Sequence, residues 1–195
     1  MNLPAGLFPT LPVATDARWA LPVVPPRRAG ESRVERAWAV LGSVADPEVP
    51  ALSVVDLGLV REVTDLGDGG GLAVVVTPTY SGCPATEQIN EAISRALEDD
   101  GLGPVSVSLR RAPAWTTDWM SEVGRERLRA YGIAPPGRCG DAAAGAPIHI
   151  VARGVSCPRC GSAQTERLSA FGSTACKAMY RCLACREPFE HFKPI

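Results

Sequence analysis

Leu72-Ala73-Val74-Val75-Val76-Thr77-Pro78-Thr79-Tyr80-Ser81-Gly82-Cys83-Pro84-Ala85 is the stretch on which the fold turns. Its first five residues are an uninterrupted apolar run, the pattern of a buried strand. Beyond it, Glu87 to Leu97 places Ile89, Ile93 and Leu97 on one helical face. Pro104 to Leu109 then alternates, with Val105, Val107 and Leu109 expected to point inward from a half-buried strand. A strand, helix and strand of these lengths imply a right-handed crossover and parallel pairing. Pro84 suits the first helical position, where its missing N–H costs nothing. Cys83 is therefore expected at or next to the N-cap, close to free amides and the positive end of the helix dipole. That surrounding favours a thiolate, the form of sulfur that binds metal or attacks as a nucleophile. The competing reading is a buried cysteine that only fills space.

Upstream, Ser32-Arg33-Val34-Glu35 has the capping-box pattern and opens a helix with Val34, Trp38 and Leu41 on one side. Asp46-Pro47-Glu48-Val49-Pro50 follows, and its two prolines hold both carboxylates on a turn. The segment Ser53 to Val60 carries Asp56-Leu57-Gly58, and Leu59 to Thr64 reads as a strand. Asp68-Gly69-Gly70-Gly71 reverses it into the Leu72 run, a hairpin signal. A third helix is expected from about Thr117 to Tyr131, with Met120, Val123, Leu128 and Tyr131 on its apolar side. The expected class is α+β: residues 31–132 form an α-β-β-α-β-α domain with a small three-stranded mixed sheet, followed by a small C-terminal zinc ribbon. Residues 133–147, rich in Pro, Gly and Ala, read as a linker. Residues 1–30, with prolines at 4, 9, 12, 22, 25 and 26, read as a disordered tail.

The ribbon occupies residues 148–195. Cys157-Pro158-Arg159-Cys160 and Cys182-Leu183-Ala184-Cys185 are separated by 21 residues. Two residues between cysteines let both sulfurs face one ion, and four thiolates close a tetrahedral site, which marks it as structural. Short strands from Thr165 to Phe171 and Lys177 to Arg181 fit the interval. Zinc is favoured, although a four-sulfur site also accepts iron. Cys176 reads either as a strand residue packed inward or as an additional thiol offered to a partner or metal. His149 and His191 read as structural, and Cys139 has no ligand-type neighbour.

The chain has 195 residues, 46% of them hydrophobic, and a net charge of −1. No global field draws it to nucleic acid or an anionic membrane. The charge is uneven: residues 31–132 carry −7 and residues 151–195 carry +4. No apolar run of membrane-spanning length occurs. With seven cysteines, four of them in C-x-x-C pairs, and no secretory pattern at the start, a reducing cytoplasm is expected.

Several motifs carry a resemblance. Asp46-Pro47-Glu48, Asp56-Leu57-Gly58-Leu59-Val60, Thr79-x-x-x-Cys83-Pro84 and Pro113-Ala114-Trp115 followed by Trp119-Met120-Ser121 resemble the metal–sulfur cluster assembly family that includes SufT. The ribbon, with Phe171-Gly172-Ser173-Thr174-Ala175-Cys176-Lys177-Ala178 and Cys185-Arg186-Glu187-Pro188-Phe189, looks like that of the PaaD (PaaJ) family of aerobic phenylacetate degradation. The resemblance implies an accessory subunit of a phenylacetyl-CoA epoxidase, partnered by its oxygenase or reductase subunits and maturing an iron or iron–sulfur centre. It implies Cys83 as the transient iron or cluster ligand, Asp46, Glu48 and Thr79 lining the same pocket, and Asp56 in support. Tyr80 departs from the family pattern, which has a small hydroxyl residue there. Two other functions stay open: a thiol-dependent redox or catalytic subunit, and a nucleic-acid-binding ribbon, the latter disfavoured by the slightly acidic chain. Homo-oligomerisation is also open.

Overall fold

The structure is a computed structural model and describes residues 20–67, 69–80, 82–137 and 154–195. Cys139 and His149, most of the expected linker and the first 19 residues lie outside them.

Helix α1 (Arg33–Leu41) starts as its sequence dictates. The Ser32 hydroxyl accepts from the Glu35 amide, and the Glu35 carboxylate accepts from the Ser32 amide. Strands β1 (Val60–Asp65) and β2 (Leu72–Val76) form the expected antiparallel hairpin. Helix α2 (Thr86–Asp99) crosses over to β3 (Val105–Leu109), which pairs parallel with β2. The sheet order is β1-β2-β3, a mixed three-stranded sheet. Leu41, Leu72, Val74, Ile93 and Leu97 fill the space between sheet and helices. Each such side chain contributes roughly 1.5–3 kcal/mol by leaving water.

Four readings change. Leu109 is exposed rather than inward, because of the apolar residues of β3 only Val105 and Val107 pack on the core. The third helix is split: a 3-10 turn, Thr117–Trp119, precedes α3 (Glu122–Tyr131). Met120 is extended between them, and Ser121 caps α3 by accepting from the Gly124 amide. A capping serine competes with the helix for its own backbone, which is why one apolar periodicity became two elements. Val123 and Tyr131 are consequently exposed, while Met120 and Leu128 are buried as expected. Residues 20–30, at the end of the proline-rich segment, are placed against the domain. The Arg36 guanidinium grips the Asp100 carboxylate in two hydrogen bonds and donates to the Pro25 carbonyl, and Arg27 joins the same carboxylate. Val24 packs on the core beside them.

The fourth change concerns the C-terminal unit. Its sheet has the order β4-β7-β6-β5, built from β5 (Thr165–Ser169), β6 (Lys177–Cys182) and β7 (Pro188–Phe192). The edge strand β4 (Ile133–Ala134) comes from the stretch read as a linker and pairs parallel with β7. The Thr117 amide donates to the carbonyl of Ile195, and Cys176 and Phe192 enter the core of the N-terminal domain. The ribbon is therefore packed onto the α+β domain.

Candidate functional site

The turn at Asp46 is built by its own side chain. One carboxylate oxygen accepts from the amides of Glu48 and Val49, at 2.9 and 2.7 Å, which fixes Glu48 beside it. Across from them the chain leaves β2 through Pro78 and Thr79 and reaches Cys83. The first residue of α2 is Thr86, with Ala85 at the N-cap, so Pro84 precedes the helix and Cys83 sits two residues before the cap. The sulfur still receives the Ala85 amide, as the helix-start reading requires.

Cys83 is half-buried, and Asp46, Glu48 and Thr79 line the same cavity of about 20 Å³. The structure thus brings four of the five expected transfer residues together. The fifth, Asp56, is elsewhere. Its carboxylate accepts from the Ser53 amide and hydroxyl, the Ser121 hydroxyl and the Arg127 guanidinium, and Ser121 also donates its amide to the Asp56 carbonyl. Asp56 joins the loop after β-bridged Ser53 to the start of α3 rather than facing the cavity.

The cavity contains a residue whose place sequence reasoning left open. Cys176, buried in the turn just before β6, lines it together with Phe192. Its sulfur is 3.1 Å from the Thr174 hydroxyl and 4.0 Å from a Glu48 carboxylate oxygen. Cys176 packs inward from the turn before β6 rather than from within a strand, and inward is the Cys83 cavity. The ribbon motif around Cys176 was visible, but nothing local to it shows which part of the chain it meets.

Charge in the cavity is dominated by desolvation. Burial pushes the Cys83 thiol up, partly offset by the Ala85 amide, and the Glu48 and Asp46 carboxylates push it further. Burial likewise raises Cys176, which Thr174 partly offsets and Glu48 adds to. Asp46 is raised by burial against the pull of its two backbone hydrogen bonds, and Glu48 by burial and then by Asp46. The thiolate expected from helix position is thus reversed, because two neighbouring carboxylates and lost water outweigh one amide. Lys177, buried at 3% exposure, is the nearby cation, and it pairs with Glu190 at 3.2 Å. Two carboxylates beside two thiols in one small cavity leave it short of positive charge.

The four ribbon cysteines, Cys157, Cys160, Cys182 and Cys185, bring their sulfurs within 4.8 Å of one another. Cys157 to Cys185 is 3.8 Å and Cys160 to Cys182 is 3.6 Å. Sulfurs about 2.3 Å from a tetrahedral zinc are about 3.8 Å apart, so the donor set fits such an ion. Among the described residues no other group of three or more potential ligands is drawn this close.

An α+β domain carrying a cysteine among carboxylates is joined here to a four-cysteine ribbon whose donor set fits a metal ion. Residues 35–109 match the family described as iron-sulfur cluster assembly protein, and residues 148–193 match the PaaD zinc beta ribbon domain. The chain is 52% identical over 164 residues to an Escherichia coli K12 protein provisionally named as a 1,2-phenylacetyl-CoA epoxidase component, covering 84% of this chain and 94% of that one. The chain belongs to that family of epoxidase components, PaaD. It is also 39% identical over 84 residues to a Porphyromonas gingivalis Fe-S protein maturation auxiliary factor, covering 43% of this chain and 78% of that one. A crystal structure of a domain of unknown function, DUF59, from Bacillus anthracis aligns with 28% identity and a TM-score of 0.46, covering 49% of this chain and 91% of that one. Among the described residues no helix is long and apolar enough to cross a membrane.

Proposed function

We propose that this protein is an accessory subunit of a phenylacetyl-CoA epoxidase that matures the iron or iron–sulfur centre of its oxygenase or reductase partner through Cys83. The observation that carries the reading is a half-buried thiol sharing a small cavity with Asp46 and Glu48. Thiolate and carboxylate together bind iron, and a cavity that penalises its own negative charge gains most when a cation arrives. Each thiol that ligates gives up its proton, so loading is tied to pH and release is favoured by acidification. The ribbon would hold zinc in a closed site with no open coordination position, which suits a permanent structural ion rather than cargo. Membership of the PaaD family and the similarity to a maturation factor support the same assignment.

A redox or nucleophilic role for Cys83 is less favoured by the site. Its thiol is pushed up, away from the reactive form, and no described histidine lines the cavity to act as its base. The test is the iron content of epoxidase produced in cells supplied with wild-type chain or with Cys83→Ser. The expected result is epoxidase deficient in iron with the variant and replete with the wild type. Fully loaded, active epoxidase in the Cys83→Ser cells would overturn the assignment.

A further inference from the structure

We propose that Cys176 of the ribbon is the second thiolate of the Cys83 site, and that Cys83, Cys176 and Glu48 together hold one divalent transition-metal ion of the iron(II) class, not a preformed cluster. The inference rests on the transfer role proposed for Cys83 and names both its cargo and the element that completes it.

Four observations carry it. Cys83 and Cys176 come from different units yet line one cavity, and the Cys176 sulfur already lies 4.0 Å from Glu48. The backbone at Cys176 is fixed rather than loose: its carbonyl accepts from the Lys193 amide at 2.9 Å, and β6 pairs with β7 on from Lys177. The cavity, at about 20 Å³, is small, which suits a single ion better than a multi-atom cluster. A multi-atom cluster would have to push Val49, Ile89 or Phe192 aside. Finally, the neighbouring cation is already engaged: Lys177 pairs with Glu190, which also accepts from the Ser173 amide, so Asp46 and Glu48 keep a demand for positive charge. Mixed thiolate and carboxylate donors suit a borderline divalent ion.

Cys83, Cys176 and Glu48 are not drawn together as closely as the ribbon cysteines. An arriving ion draws the two sulfurs inward, forms two metal–sulfur bonds and one metal–oxygen bond, and releases the two thiol protons to solvent. No electron changes hands. Because Cys176 is supplied by the ribbon, the site exists only while the ribbon is packed against the α+β domain.

Anaerobic titration of the zinc-loaded full chain with cobalt(II), followed by iron(II), tests this. The sulfur-to-cobalt charge-transfer band counts thiolates, and zinc analysis of each variant confirms an intact ribbon. The expected result is one cobalt ion per chain beyond the ribbon zinc. In Cys176→Ser and Cys176→Ala, the band should fall to about half with binding weaker by at least about tenfold, no less than the loss of a supporting contact costs a metal site. Wild-type band and affinity in both Cys176 variants, with loss in Cys83→Ser, would overturn the inference and leave the transfer role standing. Wild-type binding in Cys83→Ser as well would overturn both. Recovery of a sulfide-containing cluster bound by Cys83 and Cys176, with no mononuclear binding, would overturn the single-ion assignment.

Discussion

Glu48 illustrates at the scale of one residue how a half-buried carboxylate weakens the fold that carries it. Its carboxylate is raised by burial and by Asp46, so over a window of pH the native protein keeps a proton that the unfolded chain has lost. Stability therefore falls as pH rises through that window, and the penalty is fully present above it. Glu48→Gln is expected to raise the urea midpoint of the zinc-loaded protein at neutral pH, by an advantage that narrows as pH falls toward the ordinary carboxylate range. An unchanged midpoint at neutral pH would show that the carboxylate is not penalised. His191 behaves in the opposite sense. Burial lowers its pKa to about 4 from an ordinary 6.5, with the ring set edge-on to Tyr180. Between those values the unfolded chain binds a proton that the native protein refuses, so stability falls with falling pH by up to about 3 kcal/mol. His191→Phe should flatten that slope in denaturation curves of the zinc-loaded chain recorded from about pH 7 to about pH 5, while an unchanged slope would remove His191 from the account.

At the scale of elements, Asp56 does what its motif does not announce. It fastens the turn before β1 to the start of α3 through Ser121 and Arg127, with side chains 10% and 16% exposed for the ion pair. Gly58, two residues on at φ +68°, lets this turn run against Trp119, whose carbonyl would collide with any Cβ there. Removing one partner of a largely buried pair leaves the others unsatisfied. Asp56→Ala should therefore cost about 3–5 kcal/mol of stability, and a double-mutant cycle with Arg127→Ala should give a coupling of about 0.5–3 kcal/mol. Cobalt binding by the folded Asp56→Ala fraction should stay intact, which separates this residue from the cavity-lining set. The helix and strand boundaries were legible where a local rule fixed them: Ser32 with Glu35 for α1, the glycine-rich reversal for the hairpin, and the Ile89-Ile93-Leu97 stripe for α2. The break at Met120 was not, because the apolar periodicity runs through it and only the structure shows Ser121 capping α3 through the Gly124 amide.

Across the whole molecule, a metal held by the ribbon should govern more than the ribbon. Its sheet is too small to carry a large core, so the ion should decide whether it folds. Phe192 leaves that sheet to lie against Trp115, ring centroids 6.1 Å apart, within the α+β core. Withdrawing it opens a cavity, and Phe192→Ala should destabilise the chain by about 3–5 kcal/mol. Stripping the ribbon metal with a strong chelator should expose the otherwise buried Trp115, read as a red shift of tryptophan fluorescence, and should abolish cobalt binding at Cys83. Retained binding after complete zinc removal would mean that the two units act independently.

The chain by itself determined most of its elements and the close approach of the four ribbon cysteines, because strand and helix periodicity, capping and close cysteine spacing are short-range rules. The grouping of Asp46, Glu48 and Thr79 with Cys83 was implied only by the family resemblance of their motifs. Only the tertiary structure decided that Cys176 faces Glu48, 128 positions away, that residues 133–134 extend the ribbon sheet, and that the site's thiols are pushed toward their protonated form. Those outcomes depend on which surfaces exclude water from one another, and burial between distant segments leaves no periodicity in either of them.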